Sequence, residues 1–150
     1  MARTCSIADA LEVIGERWTL LALREVLLGC RRFDQIVQQT GASRDILATR
    51  LRKLVDAGLL ERRQYEQHPP RYEYHPTEAA KSLHTVLLTL MEWGDRHINP
   101  GPPPTVWEHS CGEVLHAQVV CEHCHQPVEL GESRAVRLGG QPVERTVSDE

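Results

Sequence analysis

Residues Thr40–Pro76 read TGASRDILATRLRKLVDAGLLERRQYEQHPPRYEYHP, and this stretch decides the fold. It opens with the turn Thr40-Gly41-Ala42 and then Ser43. Serine favours a helix N-cap, because its hydroxyl accepts an N–H that the first turn leaves unpaired. Leu47, Leu51, Leu54 and Gly58 recur at helical spacing and make one narrow face. Asp45, Thr49, Arg52, Lys53 and Asp56 fall on the other side, and Gly58 reads as the helix stop. The period then changes. Leu59–Tyr65 reads as a strand, His68-Pro69-Pro70 as a turn, and Arg71–His75 as a second strand. The stretch is thus a helix feeding a two-stranded hairpin with a basic, proline-containing tip.

A helix-turn-helix with a wing is built in this order, its second helix entering the DNA major groove. A basic helix face alone is more often a solvated surface. The sequence basic helix, glycine stop, arginine pair, basic hairpin is what points to nucleic acid. Upstream, Arg31–Gln39 (RRFDQIVQQ) reads as the first helix of the motif, with Phe33, Ile36 and Val37 inward. Arg31 and Arg32 at its start oppose the helix dipole, so a phosphate partner is the reading that explains them.

Earlier still, Cys5–Ile14 reads as an amphipathic helix broken by Gly15, and Trp18–Leu28 as a largely buried one. After the hairpin, Pro76-Thr77 caps a helix expected over 78–97, apolar across a broad arc from Ala79 to Trp93. An arc that broad must bury a second face, either in its own core or against another copy of the chain, and the second copy is the expectation. The linker INPGPPP at 98–104 cannot continue a helix. Residues 131–150 are weakly patterned and read as a flexible tail, disordered over about the last ten residues.

The chain has 150 residues and a net charge of −4, which suits one domain plus an appendage. The charge is uneven: residues 1–100 carry 14 Lys/Arg against 13 Asp/Glu, and residues 101–150 carry 3 against 8. Thr40–Pro76 itself carries 7 against 5, a modest positive field. Local charge counts for more than the total because screening acts within about 10 Å. No apolar run is long enough to cross a bilayer and no export signal opens the chain, so a cytoplasmic location is expected.

Several blocks together resemble the HxlR-type winged-helix regulators, within the wider MarR-like group. They are Cys5 with its helix, IGERWTLLALREVLLGCRRFDQI, LATRLRKLVDAGLLERR, PPRYEYHPTEAAKSL and EWGDRH. The resemblance spans residues 5–97, nearly two-thirds of the chain. It implies a mainly α fold with a β-hairpin wing, in a homodimeric DNA-binding transcription factor, often a repressor. Its dimers use the N-terminal and the long C-terminal helices. It places Ser43, Arg44, Asp45, Thr49, Arg52 and Lys53 on the groove-facing part of the recognition helix, and Arg71 in the wing. Arg50 lies nearer the buried flank, where an ion pair is the alternative role. Some relatives sense oxidants or electrophiles through an N-terminal cysteine, the position of Cys5; the plain alternative is a small half-buried side chain. A small-molecule effector is the other signal to consider. Cys30, at a helix end, reads as structural.

Three of the five cysteines fall in TVWEHSCGEVLHAQVVCEHCHQPVEL, residues 105–130. Cys121-x-x-Cys124 has the spacing that aims two thiolates at one ion, and Cys111 supplies a third. His109 is the expected fourth zinc ligand, since residues two apart on an extended strand point the same way. His116, His123 and His125 remain open as alternatives. Val114–Val120 is β-prone enough for a hairpin, so a small zinc-ribbon-like element is expected. A catalytic zinc is excluded: His116-Ala-Gln118 has Gln where deaminases need Glu, no proline precedes Cys121, and the spacing is too short for that fold. No catalytic triad motif, P-loop or dinucleotide fingerprint is present, so no enzyme is expected. The competing function is a protein-interaction module in which the zinc element docks a partner and the winged helix is scaffold.

Overall fold

The computed structural model describes residues 5–136. Two compact units divide the chain, Met1–Pro102 and Pro103–Glu150. The last ten residues, expected to be disordered, lie outside the described residues.

In the first unit, α1 (Ser6–Ile14), α2 (Arg17–Leu27), α3 (Phe33–Thr40) and α4 (Arg44–Asp56) are followed by β1 (Leu60–Gln67), β2 (Pro70–Pro76), α5 (Glu78–Ser82) and α6 (His84–His97). α2 is the hub, packing on α3, α4, β2, α5 and α6. Its Ala22, Leu23 and Val26 meet Ile36 of α3, Leu47, Leu51 and Leu54 of α4, Leu59 and Leu60 at the strand entry, and Ala80 of α5. Burying each leucine contributes about 1.5–3 kcal/mol, which is why the narrow leucine stripe of α4 fixes that helix's orientation.

The turn between α3 and α4 is made from its own residues. Gly41 takes φ 72°, a left-handed value that a side chain resists. The Thr40 hydroxyl donates to the Ile36 carbonyl at 2.7 Å and accepts the Ala42 N–H at 3.2 Å. The Ser43 hydroxyl then caps α4, accepting the Ile46 N–H at 3.3 Å.

The hairpin is antiparallel, with Leu60 opposite Pro76, Arg62 opposite Tyr74 and Gln64 opposite Tyr72. A register shift between Gln64 and Glu66 leaves Tyr65 bulged. Two contacts anchor the hairpin base: the Tyr74 N–H donates to the Arg31 carbonyl at 2.7 Å, and the Thr77 hydroxyl donates to the Gly58 carbonyl at 2.8 Å.

Two expectations change. The helix over 78–97 is two helices. The Leu83 N–H bonds to the Ala80 carbonyl, three residues back, at 3.0 Å, and the Ser82 hydroxyl takes the Ala79 carbonyl at 2.6 Å. A hydroxyl bonded to the backbone in this way slightly destabilises and bends a helix. The β-prone segment Val114–Val120 does not form a hairpin of its own. Bridges join Glu108 to Val114 and Val120 to Pro127, so each cysteine-bearing turn closes on itself. None of the described residues past 102 is buried. Among the described residues, no helix is long and apolar enough to cross a membrane.

Candidate nucleic-acid interface

α4 presents three flanks. Leu47, Leu51 and Leu54 face the core. Arg50 and Lys53 turn to Glu16 at the start of α2, Lys53 at 3.8 Å and Arg50 in closer contact. The ion-pair role weighed for Arg50 is what the structure gives it. Lys53, expected outward, is half-buried on that same flank. Asp45, Thr49 and Arg52 are exposed, as is Ser43 at the cap. The Thr49 hydroxyl donates to the Asp45 carbonyl at 3.0 Å. Arg44 pairs with Asp34 at 2.7 Å and lies over the Phe33 ring at 5.0 Å. That pair is well exposed and weak, so little free energy opposes exchange of the carboxylate for a phosphate.

Arg31 and Arg32 have different fates. The Arg31 guanidinium donates to the Val26 and Cys30 carbonyls, capping the end of α2. It therefore has the structural reason that its sequence position did not suggest. Arg32 stays exposed, stacked on the Tyr65 ring at 4.7 Å and 3.9 Å from Glu73.

Between α4 and the wing lies an open cleft of about 890 Å³. Arg52 of α4, Arg32 before α3, and Arg62 and Arg71 of the hairpin line it, with Tyr65 and Tyr72. Arg62 lies flat on the Tyr72 ring at 3.6 Å, and Arg71 pairs with Glu66 at 3.2 Å. A guanidinium stacked on an aromatic face keeps its hydrogen-bonding edge free and loses little entropy on meeting a phosphate. Asp34, paired to Arg44, is the one carboxylate among the lining residues. The positive field that looked modest along the sequence is therefore concentrated in one concavity.

Arg62, Tyr65 and Tyr72 were not singled out from the sequence. The signal was present: strand alternation puts Arg62 with Gln64 and Tyr72 with Tyr74 on single faces. The register that makes those faces one face, and the bulge that sends Tyr65 to Arg32, depend on pairing.

The helix-turn-helix, the arginine-lined cleft and the wing agree with what the chain is similar to. Residues 13–102 match the HxlR-like helix-turn-helix family. The chain belongs to that family. An HTH-type transcriptional regulator of Mycobacterium tuberculosis, Rv3095, is 43% identical over 125 residues, covering 82% of this chain and 79% of that protein. Among solved structures, the transcription factor PA1607 matches with TM-score 0.60 at 27% identity, over 97% of this chain and 96% of that one. The redox regulator HypR in its oxidized form matches with TM-score 0.58 at 29% identity, over 63% of this chain and 99% of that one. The present HxlR-family chain is accordingly a transcriptional regulator of the helix-turn-helix class, and DNA is its partner.

The remaining cysteines separate by environment. Cys5 is exposed and occupies the N-cap of α1. Cys30 is half-buried, its thiol 3.8 Å from the Glu25 carboxylate. Burial, and then the charge of Glu25, push the Cys30 thiol above its ordinary pKa, so it stays protonated and donates to Glu25. In the C-terminal unit Cys111, Cys121 and Cys124 are exposed. The Cys124 and then the His123 backbone N–H groups, with the Cys124 thiol, hold Cys121 below the usual thiol range. The Cys111 N–H reaches His109 Nδ1 at 3.4 Å. Among the described residues, no three His, Cys, Asp or Glu side chains are grouped closely enough to hold a metal ion.

Proposed function

We propose that the chain is a homodimeric repressor that reads a pseudo-palindromic operator, with α4 in the major groove and the hairpin beside the backbone. The observation that carries this is the arginine-lined cleft. A recognition helix and a wing that enter neighbouring grooves must straddle one sugar-phosphate strand, and the space between them holds Arg32, Arg52, Arg62 and Arg71. Base reading falls to the exposed Ser43, Arg44, Asp45 and Thr49 and to the outer edge of Arg52. Arg is the usual bidentate partner of guanine, and Thr packs on a thymine methyl.

Dimerisation is supported by two helices that leave apolar faces open. Ile7 and Leu11 of α1 are 70% and 54% exposed, and Leu90 and Trp93 of α6 are 51% and 56% exposed. No residue of α1 is buried. Side chains of that size in solvent on two helices fit an interface with a second copy. A response to thiol-directed oxidants or electrophiles is assigned to Cys5, the exposed thiol at the start of one of those helices. The likeness to a redox regulator supports that reading, and the protonated Cys30 is unsuited to it.

A nuclease footprint on DNA flanking the chain's own gene tests the proposal. The expected result is two protected half-sites separated by about one helical turn, 10–10.5 base pairs or a multiple of it. Absence of protection at low salt, or one isolated half-site, contradicts the dimeric reading.

A further inference from the structure

The C-terminal unit contains two tight turns built on one plan. A bridge closes each, Glu108 to Val114 in the first and Val120 to Pro127 in the second. The residue after each bridge donates its N–H across the mouth of the turn, His109 to the Glu113 carbonyl and Cys121 to the Gln126 carbonyl, both at 2.9 Å. A residue with left-handed φ reverses each chain, Gly112 at 88° and His125 at 60°. A cysteine stands immediately before that residue in both, Cys111 and Cys124. Laid on this plan, with the first turn one residue shorter, His109 takes the place of Cys121.

Each turn sets a thiol after its first side chain, Cys111 after His109 and Cys124 after Cys121. In the first turn His109 Nδ1 accepts the N–H of Cys111, two residues on. Such secondary bonds orient metal ligands and tune their basicity. Hydrophobic packing does not explain these turns, since no described residue of the unit is buried. A segment this short and this exposed needs a staple.

We propose that the two turns are the halves of one structural zinc site, with His109 and Cys111 from the first and Cys121 and Cys124 from the second. Three thiolates and an imidazole form a closed tetrahedral set. Among the described residues no three His, Cys, Asp or Glu side chains form one group. Drawing the pairs together is the role assigned to the ion, and its binding energy becomes folding energy for the unit. The plan also decides among the histidines. His116 lies between the two turns, His123 stands between Cys121 and Cys124 at a place the plan gives no ligand, and His125 fills the reversal position that glycine fills in the first turn. The assignment does not depend on how the first unit binds DNA.

The test uses the full-length, untagged chain, with metal analysis and cobalt(II) titration followed by visible absorption. One zinc per chain is expected, and cobalt should give the intense absorption of a tetrahedral thiolate site. His109→Cys, which makes the two turns alike, should keep one metal per chain and strengthen the sulfur-to-cobalt band. His109→Ala should weaken cobalt binding by at least about tenfold, since even outer-shell partners are worth that much. His116→Ala and His125→Gly should leave affinity and spectrum unchanged. Substoichiometric zinc, or a weak octahedral cobalt spectrum, overturns the site. Loss of the metal in His109→Cys, or in either of the other histidine variants, overturns the pairing of the turns. Helical circular dichroism of each variant reports that the first unit remains folded.

Discussion

The two units of this chain hold themselves together by opposite means. In Met1–Pro102, Leu23, Ile36, Leu47, Leu51 and Leu54 are fully enclosed, and every helix but α1 contributes buried side chains. Among the described residues of Pro103–Glu150 none is buried: Trp107 and Leu115 are half-buried, and Val114, Val119 and Val120 are exposed. One unit is therefore organised by a leucine stripe that any reader of helical periodicity finds. The other is organised by turns whose side chains are polar or soft. Where a core exists, the sequence pattern is a statement about burial. Where none exists, it is a statement about ligands.

The largest effect that separates the units is expected from Leu51→Ala. Removing a fully buried leucine costs about 2–5 kcal/mol, because the lost transfer energy is joined by that of the cavity left behind. Urea unfolding followed by helical circular dichroism should show a clear drop in midpoint. Cys124→Ser should leave that midpoint where it is while raising protease cleavage in 105–130. A helical midpoint that falls equally in both variants would mean that the two units share one stability.

Dimerisation gives the next contrast, this time within the first unit. Leu90 is half-exposed on a single protomer, so Leu90→Asp should leave the isolated fold intact. Across a dimer interface the same carboxylate would be unpaired and desolvated, at a cost of several kcal/mol. Sedimentation at low micromolar concentration should show a folded monomer in place of the dimer. A variant that remains dimeric removes α6 from the interface.

Most of the winged helix was legible in the residues. Ser43, the leucines of α4 and the His68-Pro69 turn define their elements through local chemistry, so periodicity and capping sufficed. The split at Leu83 was not legible, because it is a change of one backbone hydrogen bond, to the carbonyl three residues back, which a hydropathy pattern does not register. The site was half legible. Arg52 and Arg71 could be placed from helix face and hairpin tip. Arg31 and Lys53 looked free in one dimension and are engaged in three, by the carbonyls ending α2 and by Glu16. Arg62 needed the strand register to meet Tyr72, and Arg32 needed the bulge to meet Tyr65. In the C-terminal unit the cysteine spacing was plain, whereas the shared plan of the two turns lies in backbone hydrogen bonds and φ values.

The central claim is that the cleft between α4 and the wing holds the phosphate strand. Its most direct test is the salt dependence of operator affinity for the wild type and for Arg62→Ala. The slope of log affinity against log salt counts phosphates neutralised, through the counterions they release. Removing Arg62 should weaken binding to operator and to unrelated DNA alike, and should reduce the slope by about 1. A folded Arg62→Ala protein with the wild-type slope, or with altered preference at a single base and unchanged affinity elsewhere, would contradict the assignment of this cleft to the DNA backbone.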